Sequence, residues 1–167
     1  MKNQRMLEEL LELMRIDVSS GQETELADCL VKKLEQMGFS ITRDEAGATF
    51  GGVCGNILAV REGEREGVAC FCSHMDRVPG GIGIRPVEDN GILRSSGDTI
   101  LAADDLSGVA AILEGVRQAV ESGKKLPKLE ILFTVGEEAG LYGAKAFDVS
   151  LLMAKTMYVL DSPGRIG

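Results

Sequence analysis

No apolar run in this sequence reaches the ~18 residues of a bilayer span, which excludes a transmembrane helix. Basic charge is also scarce. The 18 Lys and Arg against 26 Asp and Glu leave a net charge of −8. That is the wrong sign for neutralising phosphates, so nucleic acid is excluded as a partner. The opening stretch MKNQRMLEELLELMRI is amphipathic and carries both charge signs, which excludes a secretory signal and an acid-poor transit peptide. The expectation is a soluble, cytoplasmic protein with no membrane partner. The 4 cysteines, Cys29, Cys54, Cys70 and Cys72, lack the spacing of a secreted disulfide framework and read as reduced, small hydrophobes. Linkers, low-complexity tracts and internal repeats are missing as well, and there is a single histidine, His74.

What is present is an ordinary globular composition, 44% hydrophobic and 26% charged over 167 residues. This is a one-domain length, able to bury roughly two-thirds of its unfolded surface. The 21 glycines follow no Gly-x-y period and mark turns. Leu7, Leu10, Leu11 and Met14 recur at helical spacing, predicting a helix from Asn3 to Ile16. Ser20-Gly21-Gln22-Glu23 has the form of a capping box for a second helix carrying Leu26, Leu30, Leu34 and Met37 and ending at Gly38. Leu106, Val109, Leu113, Val116 and Val120 form a third helical stripe, and Leu141, Ala144 and Phe147 a short fourth. Segments 39–43, 56–61, 68–73, 129–135 and 157–160 read as strands. Ile84–Glu88 and Ile92–Ser95 read as a hairpin about Asn90-Gly91. Helices alternating with unbroken apolar strands predict an α/β sandwich around a mixed, mostly parallel sheet.

The carboxylates fall at the carboxyl ends of the apolar strands, where open α/β sheets place their ligands. Val68–Ser73 runs into His74-Met75-Asp76, Leu129–Gly136 into Glu137-Glu138, and Met157–Leu160 into Asp161. Asp104-Asp105 stands before the longest helix, behind Leu101-Ala102-Ala103, an apolar approach expected to bury the pair. Each feature has a plainer reading. A lone histidine is usually a satisfied polar group, acids before a helix cap it, adjacent glutamates suit an exposed first turn, and Asp161 suits a turn with Ser162-Pro163-Gly164. Their joint placement favours a metal site. Asp76 can reach the second ring nitrogen of His74 and leave the other for a cation. One of two adjacent glutamates can bind a metal while the other takes a proton from water. A thiolate site at Cys70-x-Cys72-x-His74 is disfavoured, since alternate strand residues lie ~6.6 Å apart.

His74-Met75-Asp76, Ala103–Ala110, Thr134–Gly140 with Leu141-Tyr142-Gly143-Ala144-Lys145, and Val159-Leu160-Asp161 together resemble the dinuclear zinc exopeptidases typified by tripeptidase T. Carboxypeptidase G, aminoacylases and succinyl-diaminopimelate desuccinylase are relatives in that family. The resemblance implies a three-layer sandwich and metal-dependent hydrolysis of short peptides from the N-terminus, with metal-bound water as nucleophile. It implies two Zn²⁺ per complete site, with Co²⁺ or Mn²⁺ as alternatives. His74 and Asp161 would bind one zinc, Asp104 would bridge, and Glu138 would bind the other. Glu137 would be general base and later acid, Asp76 the partner of His74, and the Asp104–Asp105 peptide bond cis. The family's second zinc also takes a late histidine, in a chain roughly twice as long. The expectation is therefore that residues 1–167 are the N-terminal part of the catalytic domain, inactive alone. The C-terminal part and the lid domain, through which the longer protein would form a homodimer, would be absent. An N-acyl-amino-acid deacylase on the same scaffold and a non-catalytic metal-binding module are the alternatives.

Overall fold

Three amphipathic helices lay their apolar stripes on one face of a five-stranded sheet. The computed structural model describes residues 4–162. Helices α1 (Gln4–Met14) and α2 (Thr24–Gln36) come first, followed by strands β1 (Ser40–Arg43), β2 (Ile57–Arg61) and β3 (Val68–His74). A hairpin of β4 (Pro86–Asp89) and β5 (Ile92–Ser95) leads to α3 (Ala103–Glu121), β6 (Lys128–Thr134), α4 (Tyr142–Ala146) and β7 (Met157–Val159). The sheet order is β1-β2-β6-β3-β7, with β4 and β5 in a sheet of their own. Strand β2 is antiparallel to β1 and β6, while β3 is parallel to β6 and β7. Four strands thus share one direction and β2 opposes them, giving the mixed, mostly parallel sheet expected.

The two-residue period of the strands sorts the core. Ile57, Ala59, Ile131 and Phe133 face α1–α3 and meet Leu13, Met14, Leu30, Leu34, Val109 and Leu113 in one continuous cluster. Leu58, Leu132 and Cys72 point the other way, where Phe147 beyond α4 is their main cover. Tyr158 and Val159 of β7 are exposed. The helical layer is therefore thick on one face and thin on the other. Asn90 and Gly91 both take positive φ, 51° and 78°, as a primed hairpin turn requires. Asn3 of the predicted first helix, and Pro163 and Gly164 of the turn after Asp161, lie outside the described residues.

Two local expectations are corrected. Ser20 and Glu23 form no capping box. Glu23 occupies the N-cap position of α2 without a side-chain cap bond, and Ser20 Oγ donates to Asp76 Oδ2. Ser20 thus reaches the loop after β3, while Glu23 Oε1 accepts the Gly136 N–H of the loop after β6 and keeps one local partner, the Gly21 N–H. Nor is the aspartate pair buried as a unit. Asp105 is 4% exposed, whereas the Asp104 side chain is 73% exposed. The backbone of both is non-helical, and Asp105 Oδ1 accepts the Gly108 N–H, so Asp105 caps the regular part of α3 while Asp104 turns its carboxylate to His74.

Candidate functional site

Parallel pairing brings the carboxyl ends of β6, β3 and β7 to one edge of the sheet. His74 is registered with Thr134, and Cys72 with Val159. Glu137, Glu138 and Asp161 follow directly, and Asp104 enters from the start of α3. His74 is buried, and its Nε2 lies 3.1 Å from Asp104 Oδ1, 3.9 Å from Asp161 Oδ2 and 4.0 Å from Glu137 Oε2. Its Nδ1 faces Asp76, 3.1 Å from the carbonyl oxygen and 3.4 Å from Oδ1. Two sets of potential ligand atoms lie within 4.8 Å of one another among the described residues: His74, Asp104 and Asp161, and His74, Glu137 and Glu138. All the residues named from sequence as ligands or base thus stand together. Glu138 is grouped with His74 and Glu137, not with Asp104 as the resemblance implies. The Asp104–Asp105 peptide bond is cis.

Buried polar groups hold this edge in place. The Asp76 carboxylate accepts the Glu137 N–H at 2.8 Å and the Glu138 N–H at 3.1 Å. Asn56 accepts the Val135 N–H and donates to the Gly143 carbonyl. Ser73 Oγ donates to Asp105 Oδ2 at 2.6 Å. Ser20, Glu23, Asn56 and Ser73 were not legible as supports of the site. Only the Ser20-x-x-Glu23 frame carried a signal, and it was read as a cap.

The edge is crowded with negative charge. Burial raises the pKa of Glu137, and the charges of Asp161, Asp76 and Asp104 add to it against the opposing pull of His74. Burial likewise raises Glu138, with Asp104 adding most among its charged neighbours. Burial works against a charged His74, yet Asp76, Asp104 and Glu137 together lift its pKa to about 9. One histidine faces five carboxylates here, those of Asp76, Asp104, Glu137, Glu138 and Asp161, a crowding that a divalent cation would relieve. The donor set, one imidazole nitrogen with carboxylate oxygens, suits zinc and its borderline neighbours. The sulfurs are no part of it. Burial pushes the thiols of Cys70 and Cys72 up to about 11 and about 12.

Residues 56–162, most of the sheet and every residue of this edge, match the model of peptidase family M28. The chain belongs to that family. It is 39% identical over 164 residues to the uncharacterized protein YqjE of Bacillus subtilis, covering 98% of this chain and 44% of the relative. Among solved structures it is similar to aminopeptidase PepT of Bacillus cereus, with a TM-score of 0.95 and 37% identity over 99% of this chain and 45% of that one. A tripeptidase from Staphylococcus aureus superposes with a TM-score of 0.92 at 34% identity, over 97% of this chain and 44% of that one. The chain thus spans less than half the length of each of these relatives. Its described helices include none long and apolar enough to cross a membrane.

Proposed function

We propose that this chain is the N-terminal, ligand-bearing part of the catalytic domain of a zinc-dependent aminopeptidase that removes N-terminal residues from short peptides. The observation that carries the reading is the convergence of His74, Asp104, Asp161, Glu137 and Glu138 at the carboxyl edge of three adjacent parallel strands. The similarity to an aminopeptidase and a tripeptidase supports the choice of substrate.

In this reading His74, Asp104 and Asp161 would hold one zinc, with Asp104 and Glu138 available to the second. When bound, the ions supply Lewis-acid polarisation of the scissile carbonyl and acidify an attacking water. Glu137 takes the proton from that water and passes it to the leaving amine. Glu137 Oε2, 4.0 Å from His74 Nε2, lies close enough to the metal edge for that transfer. Asp76 faces His74 Nδ1 and keeps Nε2 turned toward the acids. Among the described residues only Asp104 and Glu138 are left for the second position, too few for tight binding, so no hydrolysis is expected from the 167-residue chain alone.

Elemental analysis with tripeptide hydrolysis tests this, on the 167-residue chain and on a version extended to the length of its relatives. Two zincs with hydrolysis in the long form, and at most one without hydrolysis in the short, are expected. No metal in either would overturn the proposal.

A further inference from the structure

The loop that carries Glu137 and Glu138 is gripped from behind by a turn near the N-terminus. Gly136 has φ 59°, and the amides of Gly136, Glu137 and Glu138 form a run of three successive N–H donors. Such a concavity normally attracts an anion. Here it is filled by the chain's own carboxylates. Glu23 Oε1 accepts the Gly136 N–H at 3.2 Å, and the two oxygens of Asp76 accept the next two. Ser20 Oγ donates to Asp76 Oδ2, and Glu23 Oε1 also accepts the Gly21 N–H at 2.8 Å, closing the turn on itself. Glu23 is wholly buried, and its Oε2 has no partner. A carboxylate that neither caps its helix nor touches solvent is costly to keep, and the amide of Gly136 is the distant partner that gives it a purpose.

We infer that the Ser20–Glu23 turn is a positioning device for the active-site loop: Glu23 pins the peptide plane before Glu137, and Ser20 steadies the Asp76 carboxylate that pins the next two. With three consecutive amides fixed, the backbone that carries Glu137 and Glu138 is held in place, and both carboxylates come within 4.8 Å of His74. Phe50 closes the loop from beneath. A Cβ added to Gly136 would stand 2.6 Å from its ring, so the loop cannot settle by sliding toward it. Neither Ser20 nor Glu23 touches substrate or metal in this account. The inference rests on the reading of Glu137 and Glu138 as base and ligand.

The test uses a chain extended to the length of its relatives, in which the position served by Glu138 can fill, and two readouts, amide hydrogen exchange without metal and titration with Co²⁺ followed by its visible absorption. Glu23→Ala is expected to speed exchange at Gly136 about tenfold relative to the amides of β3 and β6. It should also weaken Co²⁺ binding roughly 10–100-fold, as loss of a supporting hydrogen bond does. Glu23→Gln keeps the acceptor oxygen and should restore both. Unchanged exchange at Gly136, or a uniform rise across the sheet, would overturn the inference and reduce Glu23 to a packing residue. If Glu23→Ala does not fold, Ser20→Ala decides. Faster exchange at Glu137 and Glu138 with Gly136 unaffected supports the device, and no change at any of the three refutes it. Failure of the unaltered chain to bind Co²⁺ would count against the metallopeptidase reading itself, and the exchange pattern would still decide the clamp.

Discussion

Glu137 and Glu138 adjoin in sequence, but the duties assigned to them are different and separable. Glu137 Oε2 lies 4.0 Å from His74 Nε2 and its side chain is 28% exposed, so it can reach both the metal edge and an entering substrate. In a chain extended to the relatives' length, Glu137→Gln should lower tripeptide turnover by about 10²–10⁴-fold, the usual worth of a positioned base. Elemental analysis of the same variant should find its metal content unchanged, and a joint loss of metal and turnover would refute the role. Glu138→Ala should reverse the pattern, with about one zinc per chain disappearing, and retention of both would refute its place as a ligand. All these residues were named from sequence because each directly ends an apolar strand or begins a helix. Ser20 and Glu23 were seen but misassigned. Their three-residue spacing fits a local cap as well as it fits a distant grip, and nothing in the local chain distinguishes the two.

Helix α3 couples the site to the rest of the fold through its first turn and through its seam with α1. At the first turn, a Cβ on Gly108 would lie 2.5 Å from both Asp105 Oδ2 and the Leu160 carbonyl oxygen. Gly108→Ala should cost about 1–3 kcal/mol in a denaturant titration. It should also weaken zinc binding, because Leu160 immediately precedes Asp161. In the seam with α1, Arg5 of α1 forks onto buried Glu114, and Arg117 bridges Glu114 to buried Glu9. The Arg5 guanidinium holds the Glu114 carboxyl at about 2, well below its ordinary value. A depressed carboxylate stabilises the fold above its unfolded pKa and loses that contribution as pH falls through the folded one. Thermal midpoints should therefore decline between about pH 4.5 and 2 in part through this group. Glu114→Gln should make that limb shallower, and an unchanged limb would refute the assignment. Helix existence and apolar faces were legible because a 3.6-residue period is written in the sequence. This network was not, because Arg5 and Glu114 are 109 residues apart.

At the scale of the whole molecule, the edge that gathers the acids is a liability without a cation and an asset with one. Zinc that binds the folded chain and not the unfolded one should raise its melting temperature, by an amount worth about 2.7 kcal/mol at a hundredfold excess over Kd. Chelation should reverse the rise, and a melting temperature indifferent to zinc would argue against a metal at this edge. The sequence by itself determined the apolar faces of α1–α3, the strand segments, the Asn90-Gly91 turn and the residues able to do chemistry. All of these follow from local periodicity, turn preferences and side-chain type. Only the tertiary structure decided that β6, β3 and β7 lie side by side and parallel, which puts His74, Glu137 and Asp161 at one edge. It alone decided that Asp105 is buried and Asp104 exposed, and that Glu23 turns from its own helix to Gly136. A polar atom bonds whichever donor reaches about 3 Å once the strands are ordered, and that order is set by burial across long sequence separations.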